Sequence, residues 1–166
     1  RDWSSDVCSS DLDFEVTQDT DGSGIAEKLN TGMPSGLRVL DCYPAVRPVR
    51  ELTYLRADLT LEYDNGVPEN AAACLTELLG RQELVIQKRT KRKDLADVDI
   101  APMIKDFSFT EGEGVVTGTV TVLAQNPGLN PQLLEKAVER YLPELTPDFL
   151  RVRRRAILDA EGRDFR

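Results

Sequence analysis

The fold of this chain is decided by one stretch of ten residues, Tyr54-Leu55-Arg56-Ala57-Asp58-Leu59-Thr60-Leu61-Glu62-Tyr63. Apolar residues occupy every second position from Leu55 to Tyr63, and mainly polar or charged residues lie between them. Successive side chains of a strand point to opposite faces of a sheet. The alternation therefore predicts a strand with one buried face and one exposed face.

The segments after this strand predict a complete small domain. Pro68 begins a helix that Gly80 ends, and residues 83–89 form a second strand. A hairpin with arms 105–110 and 115–124 follows, then a helix over 131–142 and a last strand over 149–158. The order is β–α–β, an added strand, then β–α–β. It predicts an α+β fold: a ferredoxin-like antiparallel sheet with two helices on one face and the last strand beside the first.

The region before residue 52 predicts half of a similar β-α-β unit. A helix containing Ile25, Ala26 and Leu29 lies between predicted strands at 13–16 and 37–46. Residues 1–12 resemble a translated sequencing-library adapter, so we expect an artefactual or disordered tail there and a natural sequence truncated at Asp13. The expected domains are 13–47, a partial α+β domain, and 52–160, the ferredoxin-like domain, followed by a tail over 161–166.

Composition limits the chemistry that the chain offers. It has 166 residues, a net charge of −8 and no histidine, which removes serine–histidine and cysteine–histidine nucleophile pairs and the usual histidine zinc sites. Cys42 and Cys74 lie among apolar residues and are predicted to be buried free thiols, as suits a reducing cytoplasm. No apolar run could span a membrane. We expect no catalytic residue, metal ligand or cofactor site in this chain.

Two basic clusters are candidate sites for nucleic acid or another anion. The first follows the predicted second strand and comprises Lys88, Arg89, Lys91, Arg92 and Lys93. A local positive field of this kind suits phosphate contacts, but no aromatic residue interleaves the cluster to stack on bases. A solvated loop explains the same residues.

The second cluster lies on the last strand. Arg151, Arg153 and Arg155 share one face, where guanidinium groups could hold a phosphate or a carboxylate. The neighbouring first strand presents Asp58 and Glu62 on that face, so cross-strand ion pairs are the simpler interpretation.

Two further patterns are weaker. The run from Asp19 to Gly24 resembles the start of a calcium-binding EF-hand loop, but the twelfth position is Asn30 where a bidentate glutamate is needed. A loop that caps a helix explains it better. Gly112, Gly114 and Gly118 are spaced like a nucleotide-binding loop but lie in a predicted hairpin, where turn formation explains them.

Several segments carry a resemblance when they are taken together: residues 13–17 (DFEVT), 27–30 (EKLN), 33–40 (MPSGLRVL), 85–91 (VIQKRTK), 98–105 (VDIAPMIK), 149–154 (FLRVRR) and 162–165 (GRDF). In this order they resemble one family, the radical-SAM-linked proteins of bacteria. The family's most distinctive region, with Ser-His-Leu-Asp and Tyr-Ser-x-Gly-Phe-Asn-Pro segments, is not in this chain. That departure agrees with the expected truncation, and no catalytic residue is carried over.

The resemblance implies a non-catalytic accessory protein of a cobalamin-binding radical SAM enzyme. Such a protein would dock the enzyme and help to bind its substrate, while the iron–sulfur cluster would belong to the partner. The two basic clusters make RNA the candidate substrate. Two alternatives stay open: an independent enzyme whose active site lies mainly in the missing N-terminal region, and a structural dimerisation module. The oligomeric state does not follow from the sequence.

Overall fold

The structure, a computed structural model, describes Val16, residues 22–89 and residues 95–165. The described residues fall into two compact units, which divide between Val49 and Arg50. The predictions for residues 1–12 and for Lys91, Arg92 and Lys93 lie outside this part of the chain. So does the strand predicted over 13–16, except for Val16, which is not in a strand.

The larger unit is built on a four-stranded antiparallel sheet. Its helices and strands are β1 (Tyr54–Glu62), α2 (Ala71–Leu79), β2 (Val85–Arg89), β3 (Leu95–Asp99), β4 (Ile104–Glu111), β5 (Val115–Leu123), α3 (Leu134–Tyr141) and β6 (Phe149–Leu158); α1 (Gly22–Gly32) lies in the smaller unit. The strand order is β4-β5-β1-β6, with every neighbouring pair antiparallel. The ferredoxin-like prediction is confirmed, and so is the position of the last strand beside the first.

The core lies between one face of this sheet and the two helices. Its strands contribute Ala57, Leu59, Leu61, Val116, Val120, Val122 and Leu150, and its helices contribute Ala71, Leu75, Leu78, Leu79, Leu134, Ala137 and Val138. Alternate residues of β1 are buried, which confirms the predicted strand with one buried face and one exposed face. Helix α2 begins three residues after Pro68, and Ala72 N in its first turn donates a hydrogen bond to Glu111 Oε1 at 3.0 Å.

Residues 83–89 were predicted to be the second strand of the ferredoxin-like sheet, and the structure corrects this. Strand β2 leaves the main sheet and pairs with β3, a strand that the sequence did not predict, in a separate two-stranded sheet. The place beside β5 is taken by β4, because a short turn with Gly114 at φ +70° returns the chain directly from β4 to β5. The inserted β2–β3 hairpin buries Leu84, Ile86 and Ile100 against the core.

Helix α3 binds the outer edge of β2. The Tyr141 hydroxyl accepts a hydrogen bond from Val85 N at 3.1 Å and donates one to Val85 O at 3.2 Å. Lys136 Nζ donates to Gln87 O at 3.5 Å. Side chains of α3 thus satisfy main-chain groups that a third strand would otherwise satisfy.

The smaller unit contains the predicted helix but lacks one predicted strand. Helix α1 ends near Gly32 and Pro34, as expected. Residues 37–46 are not a strand, because no described strand lies beside them; the side chain of Asn30 takes that place instead. Its amide donates to Val39 O at 3.1 Å and accepts from Val39 N at 2.7 Å, which satisfies one residue of the segment. Cys42 and Cys74 are free thiols, both half-buried.

Candidate functional site: the open face of the sheet

The face of the sheet opposite the helices carries polar side chains in rows that cross the strands. One row, from β4 to β6, consists of Thr110, Thr117, Thr60 and Arg151. The next row consists of Ser108, Thr119, Asp58 and Arg153. We call Thr60, Ser108, Thr110, Thr117 and Thr119 the hydroxyl array, and Arg151, Arg153 and Arg155 the arginine row.

The hydroxyl array lies in a shallow depression of about 310 Å³, which Asp58 also lines. None of its five hydroxyls forms a hydrogen bond with another residue that the structure describes. Because a hydroxyl both donates and accepts, the array offers five unused donors and acceptors to a ligand. Thr121 differs: it is buried and its Oγ1 accepts from Arg56 Nε at 3.4 Å.

The arginine row forms the cross-strand ion pairs that the sequence predicted at two of its three positions. Arg151 lies 3.3 Å from Glu62, between Nη2 and Oε1, and Arg155 Nε lies 3.3 Å from Asp58 Oδ2. Arg155 reaches Asp58 because the ladder between β1 and β6 shifts register there, so that Ala57 pairs with Arg154 and Arg56 with Ala156. A bulge of this kind redirects a side chain.

Arg153 is the member of the row whose charge stays uncompensated. It faces Asp58 in the register, but the ion pair of Asp58 is with Arg155, and no described carboxylate pairs with Arg153. Arg56 likewise has no carboxylate partner within the described ranges. The open face carries five cations, Arg56, Lys105, Arg151, Arg153 and Arg155, and three carboxylates, Asp58, Glu62 and Asp106. The face is therefore positive in a chain of net charge −8.

The structure does not bring Lys88, from the first predicted basic cluster, near the arginine row. Lys88 is exposed near the end of β2, in the hairpin that packs on the helix side of the domain, whereas the arginine row lies on the opposite face. Arg89 is the last residue of β2, and the other three members of that cluster are outside the described residues. Lys88 and the arginine row would therefore contact separate ligands or separate parts of a long one.

Other titratable groups of the larger unit serve the fold. Tyr63 is 7 % exposed, and its hydroxyl donates to Leu145 O at 2.9 Å. Burial raises the pKa of Tyr63 to about 12. Asp159 is fully buried and accepts hydrogen bonds from Glu161 N and from the main chain and side chain of Arg163. Both groups face away from the open face of the sheet or lie beyond its last strand.

The glycine pattern is explained by turn and packing geometry. Gly112 and Gly114 lie in the β4–β5 turn, where Gly112 N donates to Val115 O at 2.8 Å. Gly118 is in β5, and a Cβ there would lie 2.6 Å from Ser108 O and 2.5 Å from the ring of Phe109.

Within the described ranges no three histidine, cysteine, aspartate or glutamate side chains form a group that could hold a metal ion. No helix there is long and apolar enough to cross a membrane.

The hydroxyl array was not predicted from the sequence. The signal was present: between 105 and 110, and again between 115 and 123, serine and threonine alternate with residues of the buried face. Assigning these hydroxyls to one surface needs the pairing of β5 with both β1 and β4, which only the structure supplies.

Fold and surface together define an α+β protein whose ferredoxin-like sheet has one open, polar face. The chain belongs to the bacterial family DUF2344, described as an uncharacterized protein conserved in bacteria, whose profile matches residues 8–131. The match begins at Cys8, inside the segment that resembles an adapter, and ends before β6. No curated protein matches the chain, and neither does any solved structure.

Proposed function

We propose that this chain is a non-catalytic accessory module that binds RNA on the open face of its sheet and presents it to a cobalamin-binding radical SAM enzyme. The partner is suggested by the family resemblance of the sequence. The RNA part rests on one observation above all: Arg153 is exposed and uncompensated beside five hydroxyls that have no hydrogen-bond partner within the described residues.

Phosphate contacts explain why such a surface suits a nucleic acid. An arginine can bind a phosphate with two parallel hydrogen bonds, and hydroxyls add neutral contacts to phosphate and sugar. The ion-paired Arg151 and Arg155 hold their guanidinium groups on either side of Arg153 on the same strand. Glu62 and Asp58 thus orient the row while Arg153 keeps its charge for a ligand.

The RNA part is tested by filter binding of the chain to RNA at low salt, where phosphate contacts are strongest. We expect Arg153→Ala to weaken binding about tenfold, the size of one charge-assisted hydrogen-bond contact. It should also flatten the dependence of log K on log salt by about one unit. Arg38→Ala, which removes an exposed arginine from the smaller unit, is the matched control and should bind as the unchanged chain does.

The partner part is tested by co-purifying the natural full-length protein with the radical SAM protein encoded beside it, with nucleic acid measured by absorbance. A complex that contains RNA supports the proposal. If there is neither complex nor RNA, the proposal is wrong, and an independent enzymatic activity becomes the better hypothesis.

A further inference from the structure

The open face contains few aromatic rings, and they lie at its ends. Among the described residues, Tyr54 begins β1 and Phe149 begins β6, and because Phe149 pairs with Glu62 the two rings stand at opposite ends of β1. Nine residues of strand separate them by about 26 Å. Lys105 Nζ lies 4.0 Å from the centre of the Tyr54 ring and covers it.

This arrangement does not suit single-stranded RNA that binds through its bases. Proteins that bind single strands stack successive bases on neighbouring aromatic side chains, which supply much of the affinity. On this face the central positions carry Asp58 and Thr60 in β1 and Thr117 and Thr119 in β5 instead. A ligand would meet hydroxyls and the Asp58 carboxylate, whose charge Arg155 compensates, along the middle of the sheet, and arginine at its β6 edge.

Hydroxyls and arginines together match the sugar–phosphate backbone of an RNA duplex. The minor groove of A-form RNA is wide and shallow and displays ribose 2′-hydroxyls, which both donate and accept hydrogen bonds. The array is wide enough to meet several of them, since neighbouring strands are about 4.8 Å apart and alternate residues along a strand about 7 Å apart. DNA lacks the 2′-hydroxyl, so the array could not bind DNA in this way.

We infer that the hydroxyl array docks the minor groove of double-stranded RNA while Arg153 binds an adjacent phosphate. This inference rests on the proposed function and names its ligand: a base-paired RNA stem, recognised by shape and ribose rather than by base sequence. Thr117 and Thr119 are central to it, because each belongs to one of the two cross-strand rows and both lie on β5, between two other strands.

The test compares three probes of one sequence: an RNA duplex, the matching DNA duplex and the single-stranded RNA. Each is titrated with the unchanged chain, with the double variant Thr117→Val and Thr119→Val, and with Arg153→Ala. Valine keeps the β-branched shape that a strand prefers and removes only the hydroxyl. Thr146→Val, at an exposed threonine outside the sheet, is the control.

The expected result is at least tenfold tighter binding of the RNA duplex than of either other probe. The double valine variant should lose about tenfold for the RNA duplex, as two lost hydrogen bonds predict, and should leave DNA binding unchanged. Equal affinity for both duplexes, or tighter binding of the single strand, would overturn the inference while leaving RNA binding intact. If the chain binds no RNA probe at all, the proposed function is wrong as well.

Discussion

The hydroxyl of Tyr141 should hold the inserted hairpin in place, and Tyr141→Phe tests this with the loss of one atom. The hydroxyl is the hydrogen-bond partner of both main-chain groups of Val85, at 3.1 and 3.2 Å. The ring stays in the variant, so its contacts with the guanidinium groups of Arg81 and Arg140, 5.2 and 5.7 Å from the ring centre, remain possible. The change therefore isolates the two hydrogen bonds.

The expected cost follows from these two bonds. Each hydrogen bond contributes about 0.5–1.5 kcal/mol net, so their loss should lower the free energy of unfolding by about 1–3 kcal/mol. The lower half of this range is expected, because Val85 and Tyr141 are half-buried and water can replace part of what is lost. The melting temperature should fall by about 4 °C for each kcal/mol in a unit of this size.

Urea unfolding measures the global effect, and amide hydrogen exchange measures the local one. The Val85 amide should exchange faster in Tyr141→Phe, because Tyr141 is the acceptor that protects it. Tyr54→Phe is the control, since the Tyr54 hydroxyl has no hydrogen bond to a described residue, and it should change stability by less than about 0.5 kcal/mol. Equal effects of the two variants, with unchanged exchange at Val85, would refute the role given to Tyr141.

Three further predictions concern the sheet. Replacing Arg151, Arg153 and Arg155 together by alanine should cost about 2 kcal/mol or less in urea unfolding, because two exposed ion pairs are lost at about 0–1 kcal/mol each; a larger loss would indicate a structural role. Gly118→Ala should destabilise by about 1–3 kcal/mol, since its Cβ would meet the facing β4 carbonyl oxygen at 2.6 Å, and unchanged stability would contradict that close approach. Burial raises the pKa of Tyr63 from 10.0 to about 12, so above pH 10 the unfolded chain releases this proton first and the free energy of unfolding falls up to about pH 12. In urea unfolding across that pH range, Tyr63→Phe should show a shallower fall than the unchanged chain. An identical pH profile would exclude Tyr63 as the cause.

The main sheet could be predicted because its signals are local. The alternation from Leu55 to Tyr63 identifies the buried face of β1, and β6 occupies the predicted range 149–158. The cross-strand pairs of Arg151 with Glu62 and of Arg155 with Asp58 also follow from alternation once the two strands are neighbours.

The predictions that failed concern segments whose structure depends on contacts with residues elsewhere in the chain. Residues 83–89 have the composition of a sheet strand, but nothing local indicates that they leave the main sheet or that Tyr141 satisfies the edge of β2. Residues 37–46 have the composition of a strand too, and the side chain of Asn30 holds them without one. The uncompensated charge of Arg153 depends on a bulge near Arg155, which no periodicity shows.

The position of β1 has a consequence for protein synthesis. β1 is the first strand of the sheet to leave the ribosome, yet its two neighbours are β5 and β6, and β6 is made last. Contacts between residues so far apart in sequence form slowly, and unpaired strand edges invite aggregation in the meantime. A nascent chain that stops before Phe149 leaves one edge of β1 without its partner, so ribosome pausing late in the message should still leave this protein dependent on chaperones.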